Sequence, residues 1–294
     1  MNRRRVVITG LGCITALAES AEEFFNALCE GKSGVSKIDN FDAAMFTVHI
    51  GGEIKNFEVT KYVDQRESKR MDRFTQFAMA AARQAVEDSG LDFAKEDVSR
   101  CGAIVGTGIG GIKEIEEQHL RLLAGGPKKV SPFCVPRLMG NAASGNIAIR
   151  YGLQGPNICV TSACASGSHA IGEAFCNILA QRSDIMVTGA TEAALTPIGL
   201  GSFCAARSLS LRNDNPQAAS RPFDRDRDGF VLAEGAGILI LEEYEHAKKR
   251  GANIYAELLG YSATDDAHHI TAPLPNGEGA ARTMAMALKD ASVA

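Results

Sequence analysis

Apolar positions along the chain fall into short runs, and the runs alternate between unbroken stretches and stretches with helical spacing. Val6–Thr9, Cys101–Gly106, Asp184–Thr188, Ile238–Leu241 and Ile254–Tyr261 are nearly unbroken, which predicts buried strands. Between them, Phe74, Phe77, Ala78, Ala81, Ala82, Ala85 and Val86 recur on one helical face, and Asp88-Ser89-Gly90 closes that helix. Ser20 opens a helix to about Glu30, with Glu23 placed as the reciprocal partner of a capping box. Ile112 to about Leu123, Pro136–Tyr151, a segment from near Cys164 to about Gln181, Glu242–Arg250 and Gly279–Asp290 read as further helices. Residues 35–65 show no period, only scattered anchors at Phe41, Phe46, Ile50 and Phe57. Strands alternating with helices predict a mainly parallel α/β sheet.

Composition narrows the field. The 294 residues are 45% hydrophobic and 22% charged, an ordinary globular balance, and the formal net charge of −4 gives no basis for a nucleic-acid partner. No run approaches the roughly 18–20 apolar residues of a membrane span, so no membrane partner is expected. Arg3-Arg4-Arg5, the apolar stretch to Ala18 and Ala16-Leu17-Ala18 imitate a secretory signal, but Gly10 and Gly12 interrupt the stretch and Val6–Ile8 suits a strand. Eight cysteines form no Cys-x-x-Cys pair and no Cys/His pattern typical of zinc. No metal is expected, and reduced core thiols in a cytoplasmic protein are.

Two motifs imitate binding loops. Gly106-x-Gly108-x-x-Gly111 precedes a helix as a dinucleotide fingerprint does, but the acidic residue due roughly 20 positions later is replaced by Gly125-Gly126-Pro127-Lys128-Lys129. Asp224-x-Asp226-x-Asp228-Gly229 resembles a calcium loop, yet its twelfth position is Gly235 and Glu234 comes one early, so a salt-bridged turn is the better reading.

The chemistry centres on Asn157 to Gly172, a short strand, a turn of small residues and a helix beginning near Cys164. A thiol there faces converging backbone N–H groups and a positive helix end, which favours thiolate and could hold the oxyanion of an acyl intermediate. Ala163, Ala165, Ser166 and Gly167 leave room for a substrate carbonyl. A buried, inert cysteine is the competing reading.

Ala163-Cys164-Ala165-Ser166-Gly167 resembles the nucleophile turn of the β-ketoacyl-acyl carrier protein synthases, condensing enzymes of the thiolase superfamily. Arg4–Gly12, Gly106–Gly111, Ser131–Phe133, Arg212–Pro216, Arg221–Val231 and Glu234–Gly237 resemble segments of that family in the right order, and the similarity, strongest to type II elongating synthases, spans essentially the whole chain. The resemblance implies an α/β, thiolase-like layered αβαβα fold. Residues 1–252 would form the N-terminal half with the nucleophile, and residues 253–294 would begin the C-terminal half. It implies decarboxylative Claisen condensation of malonyl-acyl carrier protein with an acyl chain on Cys164, in fatty acid elongation. No cofactor is expected, because phosphopantetheine arrives on the carrier protein. A homodimer is expected, with Ile158–Ser162 near its axis.

Carried over residue by residue, the resemblance makes Ile109 and Phe203 acyl-pocket walls, though ordinary core positions would look the same. Thr271, in the loop Asp265–Pro273, becomes a malonyl-side contact. Arg66, Lys69 and Arg70 become a docking patch for acyl carrier protein, which Lys128, Lys129 and Arg207 extend; the pattern also fits a solvated helix face. Cys134 stands where relatives often carry an aromatic, which leaves the preferred acyl length open.

The family's two oxyanion-binding histidines, its assisting lysine and its Gly-Phe-Gly-Gly loop have no counterpart among these residues. The six histidines are 49, 119, 169, 246, 268 and 269. His169 lies five residues past Cys164, which at about 100° per residue turns it away from the sulfur and reads as helix packing; His246 reads as exposed on a charged helix. The chain ends in a helix, so a truncated enzyme is expected, inactive alone in condensation but with Cys164 still open to acylation. Because Met1 directly precedes the first strand, a free-standing synthase is expected rather than an excised domain. A CoA-dependent thiolase, a cysteine hydrolase and a non-catalytic carrier-binding or dimerising fragment stay open; the hydrolase would need a partnered histidine and a Gly-x-Ser-x-Gly-like elbow.

Overall fold

The computed structural model describes residues 3–293. In chain order the elements are β1 (Val6–Thr15), α1 (Ala21–Cys29), β2 (Ser36–Lys37), β3 (Ile50–Gly51), α2 (Gln65–Ser68), α3 (Arg73–Ser89), β4 (Cys101–Gly106), α4 (Ile112–Gly125), α5 (Cys134–Leu138), α6 (Ala142–Tyr151) and β5 (Asn157–Val160). They continue with α7 (Ser166–Leu179), β6 (Ile185–Glu192), α8 (Pro197–Ala205), β7 (Gly235–Glu243), α9 (Tyr244–Lys249), β8 (Ala256–Leu258) and α10 (Glu278–Asp290).

Six strands form one sheet in the order β5-β4-β6-β7-β1-β8. The β5–β4 and β4–β6 pairs are parallel; β7 runs antiparallel to both β6 and β1, so β1 shares the direction of β4, β5 and β6, and β8 runs antiparallel to β1. The sheet is therefore mixed, with β7 and β8 running against the other four strands. Helical crossovers join β4 to β5 and β5 to β6, which enforces parallel pairing there, whereas β7 arrives after the long excursion 193–234 and is free to run the other way.

Alternation along the strands feeds two faces. Ala103 and Val105, Ile185 and Val187, Ile238 and Ile240 meet α3 and α6 on one side. Ile104, Met186 and Leu241 meet Ala170, Ala174, Phe175 and Ile178 of α7 on the other. A third cluster, of Ile38, Ala43, Val48, Ile50, Leu195, Leu200 and Leu209, gathers the first part of the aperiodic stretch after α1, while Ile54, Phe57 and Val63 join the cluster around α3. Those anchors share no regular element, which is why residues 35–65 show no period.

Helix α3 is the central support. Its N-cap Asp72 accepts Phe74 N–H and Gly90 closes it in a left-handed conformation. Phe74 and Phe77 are fully buried, each worth about 1.5–3 kcal/mol of burial. Strand β1 runs on through Gly10 and Gly12 because α3 crosses directly over them: a Cβ at either would overlap the carbonyl oxygen of Ala85 or Ala81.

Local boundaries differ from the periodicity in several places. Ser20 caps α1 as expected, its Oγ accepting Glu23 N–H at 3.3 Å. The stretch 136–151 is two helices, broken where Met139 turns extended. Glu242 lies within β7, fully buried, instead of opening a helix. His246 is correspondingly not free: Nδ1 lies 2.6 Å from Glu242 and Nε2 2.9 Å from Glu96. Strand β8 keeps only three of the residues in Ile254–Tyr261, and Tyr261 instead packs its ring on Gly172 of α7. Helix α8, begun by Pro197 and capped by Thr196, carried no periodic signal.

Candidate functional site

Cys164 sits between the end of β5 and the start of α7, exposed, in a turn the sequence closes on itself. Ser162 N–H donates to Ser166 Oγ at 2.9 Å, and that hydroxyl donates to Ala163 O at 2.7 Å. Ala165 N–H returns to Ser162 O and Ser166 N–H to Ala163 O. Ala163 takes a left-handed φ of 51°, a conformation uncommon for a residue with a Cβ and frequent where a turn aims a reactive group. The helix begins at Ser166, two residues later than the sequence suggested, and no side chain caps it. Its first N–H groups therefore face the turn.

His169 is not simply packed in its helix. Its Nδ1 lies 2.6 Å from Ser162 Oγ, so it braces the nucleophile turn from behind.

An open cavity of about 700 Å³ spreads from Cys164. Ile109, on the turn after β4, and Phe203, on α8, both line it, as do Cys13 and Phe24. Phe203 packs edge-on against Phe230, ring centroids 5.3 Å apart. Thus the structure brings Cys164, Ile109 and Phe203 to one cavity. Thr271 does not line it: it is exposed, its N–H donating to His269 Nδ1 at 3.1 Å. The loop is further tied to α10, where Arg282 Nη2 donates to Asp265 O at 2.8 Å, and none of its residues lines the cavity. No histidine lines the cavity among the described residues.

The sequence reading missed Glu192 as a site residue. It ends β6 with Oε2 accepting N–H from Gly108 (2.7 Å) and Ile109 (3.2 Å), while Oε1 accepts the Thr107 hydroxyl (3.2 Å). Burial raises its pKa above the usual carboxylate range, against the pull of those donors. A carboxylate ending an otherwise buried apolar strand was the available signal. Two N–H groups of the glycine motif, those of Gly108 and Ile109, are thus already donated to Glu192.

Arg66, Lys69, Arg70, Lys128, Lys129 and Arg207 are all exposed, and among the described residues none makes a salt bridge. Arg70 stacks over the Phe133 ring at 5.2 Å. No hydrogen bond or ion pair joins Arg207 to the others. Cys134 is half-buried at the start of α5. In the acidic turn, Arg221 pairs with Asp224, and Asp228 accepts from Ser210 and Leu211. Those carboxylates are occupied within the protein.

A family model described as "Beta-ketoacyl synthase, N-terminal domain" matches residues 3–247, with the nucleophile turn inside it, and the corresponding C-terminal domain model matches 255–294. The chain belongs to the beta-ketoacyl synthase family. It is 49% identical over 293 residues to 3-oxoacyl-[acyl-carrier-protein] synthase 2 of Synechocystis sp., covering 100% of this chain and 70% of that protein. To the protein of the same name from Vibrio harveyi it is 47% identical, with 100% and 71% covered. The fold is the thiolase-like α/β arrangement of ketosynthases. A type II PKS ketosynthase, solved with its acyl-carrier protein and bound to the hexaketide, superposes with a TM-score of 0.90 at 38% identity, over 100% of this chain and 71% of that one. A beta-ketoacyl synthase from Burkholderia phymatum gives 0.89 at 34% identity, over 99% and 71%.

Proposed function

We propose that this synthase chain carries the acyl-capture half of a decarboxylative condensation, with Cys164 as the nucleophile. The carrying observation is the exposed thiol on a self-braced turn at the mouth of an apolar cavity. The sulfur attacks the thioester carbonyl of an acyl-carrier protein, a C–S bond forms, and the pantetheine thiol leaves with a proton. The acyl tail then lies along Ile109 and Phe203. In the second half-reaction, malonyl-carrier protein loses CO₂ and its enolate attacks the acyl group on Cys164. That step needs donors on the malonyl thioester oxygen. Among the described residues no histidine lines the cavity, and the residues named here account for the capture step.

The partner fits the same reading. Six exposed, unpaired cations suit an acidic carrier protein, and the structurally similar polyketide ketosynthase was solved with its own carrier. A homodimer through β5 is favoured by its position as the sheet's edge strand, with Ile158 47% exposed. Residues 1–252 would be the first half and 253–294 the start of the second. Thr271 would contact malonate only once its loop moved inward. Eight free cysteines suit a cytoplasmic setting, and no helix among the described residues is long and apolar enough to cross a membrane.

Incubation with acyl-carrier protein, or with the covalent inhibitor cerulenin, tests the assignment by mass spectrometry. An adduct confined to Cys164 and abolished by Cys164→Ala is expected. Adducts spread over other cysteines, or none in folded protein, would reject it. The CoA-dependent alternative predicts equal capture from acyl-CoA.

A further inference from the structure

Glu192 joins the two turns that frame the cavity. Its Oε2 takes the N–H groups of Gly108 and Ile109, and its Oε1 the Thr107 hydroxyl, whose oxygen in turn accepts Gly110 N–H at 3.1 Å. Four consecutive residues of one turn are thus organised around a single carboxylate. Gly108 makes this possible. A Cβ there would stand 2.9 Å from Glu192 Oε2 and 3.7 Å from the Ala163 carbonyl oxygen. The bare backbone therefore sits between the carboxylate and the residue preceding Cys164.

Ile109 is 43% exposed, so neighbouring side chains only partly confine it. Its backbone N–H is held by Glu192 at 3.2 Å.

We propose that Glu192 is a positioning residue that fixes Ile109 as a wall of the acyl cavity and so sets the chain-length selectivity of capture at Cys164. This rests on the reading of Cys164 as the acyl acceptor. Without the carboxylate the turn's N–H groups lose their acceptor inside a largely apolar cavity, and the turn relaxes to find another. Ile109 moves with it.

Two alkylating reagents separate the possibilities: iodoacetamide, which has no tail, and N-dodecyl iodoacetamide, whose tail must enter the cavity. In each, a C–S bond forms, the C–I bond breaks, iodide leaves and the thiol proton passes to solvent. The ratio of their rates at Cys164, read by mass spectrometry on the 294-residue chain, reports the wall and not the intrinsic reactivity of the thiol. Glu192→Leu is expected to move that ratio about tenfold toward unity, the usual worth of one misplaced apolar pocket contact. Glu192→Gln should retain the wild-type ratio, because its carbonyl oxygen still accepts both N–H groups. Should Glu192→Leu not fold, Gly108→Ala pushes the carboxylate off the turn without removing Glu192 from the sequence, and should move the ratio in the same direction. A folded Glu192→Leu or Gly108→Ala with the wild-type ratio overturns the proposal, as does a wild type that does not discriminate or a Glu192→Gln that behaves like Glu192→Leu. If wild-type Cys164 takes neither reagent, the nucleophile assignment itself falls, which is a different result from an unchanged ratio.

Discussion

Arg73 and Glu234 meet in a two-pronged ion pair, with Arg73 Nε and Nη2 each 2.9 Å from a separate carboxylate oxygen. Glu234 is 1% exposed at its side chain, and it also accepts Ile54 N–H. The pair ties the first residue of α3 to the segment entering β7. In the sequence, Arg73 comes three residues after Arg70 of the basic patch. The structure removes it from any docking surface.

Because the carboxylate is buried, taking away its partner costs more than the pair gains. Arg73→Ala should destabilise the fold by about 3 kcal/mol, and Arg73→Ala with Glu234→Leu should recover a large part of that loss. Urea denaturation of the four-member mutant cycle checks it. Equal losses in the single and double variants would contradict the account.

A second buried carboxylate sets a pH dependence. Glu242 takes Arg250 through two bonds of 2.8 and 2.7 Å, Thr9 Oγ at 2.9 Å, and His246. Burial works to lower the His246 pKa, but the bond and charge of Glu242, with Glu96 behind, outweigh it and leave the pKa raised. A raised folded pKa means His246 contributes stability fully below its unfolded value of about 6.5, and that contribution fades as pH rises through the folded value. Glu242, held below its usual range against the push of burial, contributes in the opposite sense and loses its share only at acid pH. His246→Gln should therefore flatten the decline in stability between about pH 6 and 8. Denaturation midpoints across that window decide the matter.

Thiol reactivity should be graded by burial. Desolvation pushes Cys13 up to about 11 and Cys101 up to about 12, whereas Cys164 is exposed. A limiting amount of maleimide near neutral pH should label Cys164 while sparing Cys13 and Cys101, because the thiolate is the reacting form. Peptide mapping after short exposure reads the order. Labelling of Cys101 ahead of Cys164 would be incompatible with the fold described.

The crossing of α3 over β1 allows no side chain at the contact. Gly12→Ala should cost about 3 kcal/mol or leave the chain insoluble, since the Ala81 carbonyl occupies the place of the new Cβ and a whole helix must shift. Thermal melting against wild type checks this, and an unchanged midpoint would show that α3 is not seated as described.

What the sequence by itself determined was local. Apolar periodicity placed α3, β4 and the cores of β6 and β7, because those segments bury a regular face and the regularity is written in their spacing. The run around Cys164 announced a turn between a strand and a helix, and the family resemblance assigned it chemistry. Tertiary structure decided the rest. It made the sheet mixed, since strand direction depends on the path of the connections and not on the strands themselves. It paired Arg73 and His246 with the buried carboxylates Glu234 and Glu242, since burial is a property of neighbours distant in the chain. It left Thr271 on an exposed loop away from the cavity and placed Glu192 against Gly108, 84 residues earlier in the sequence, because a carboxylate's partner is chosen by packing and leaves no period to read.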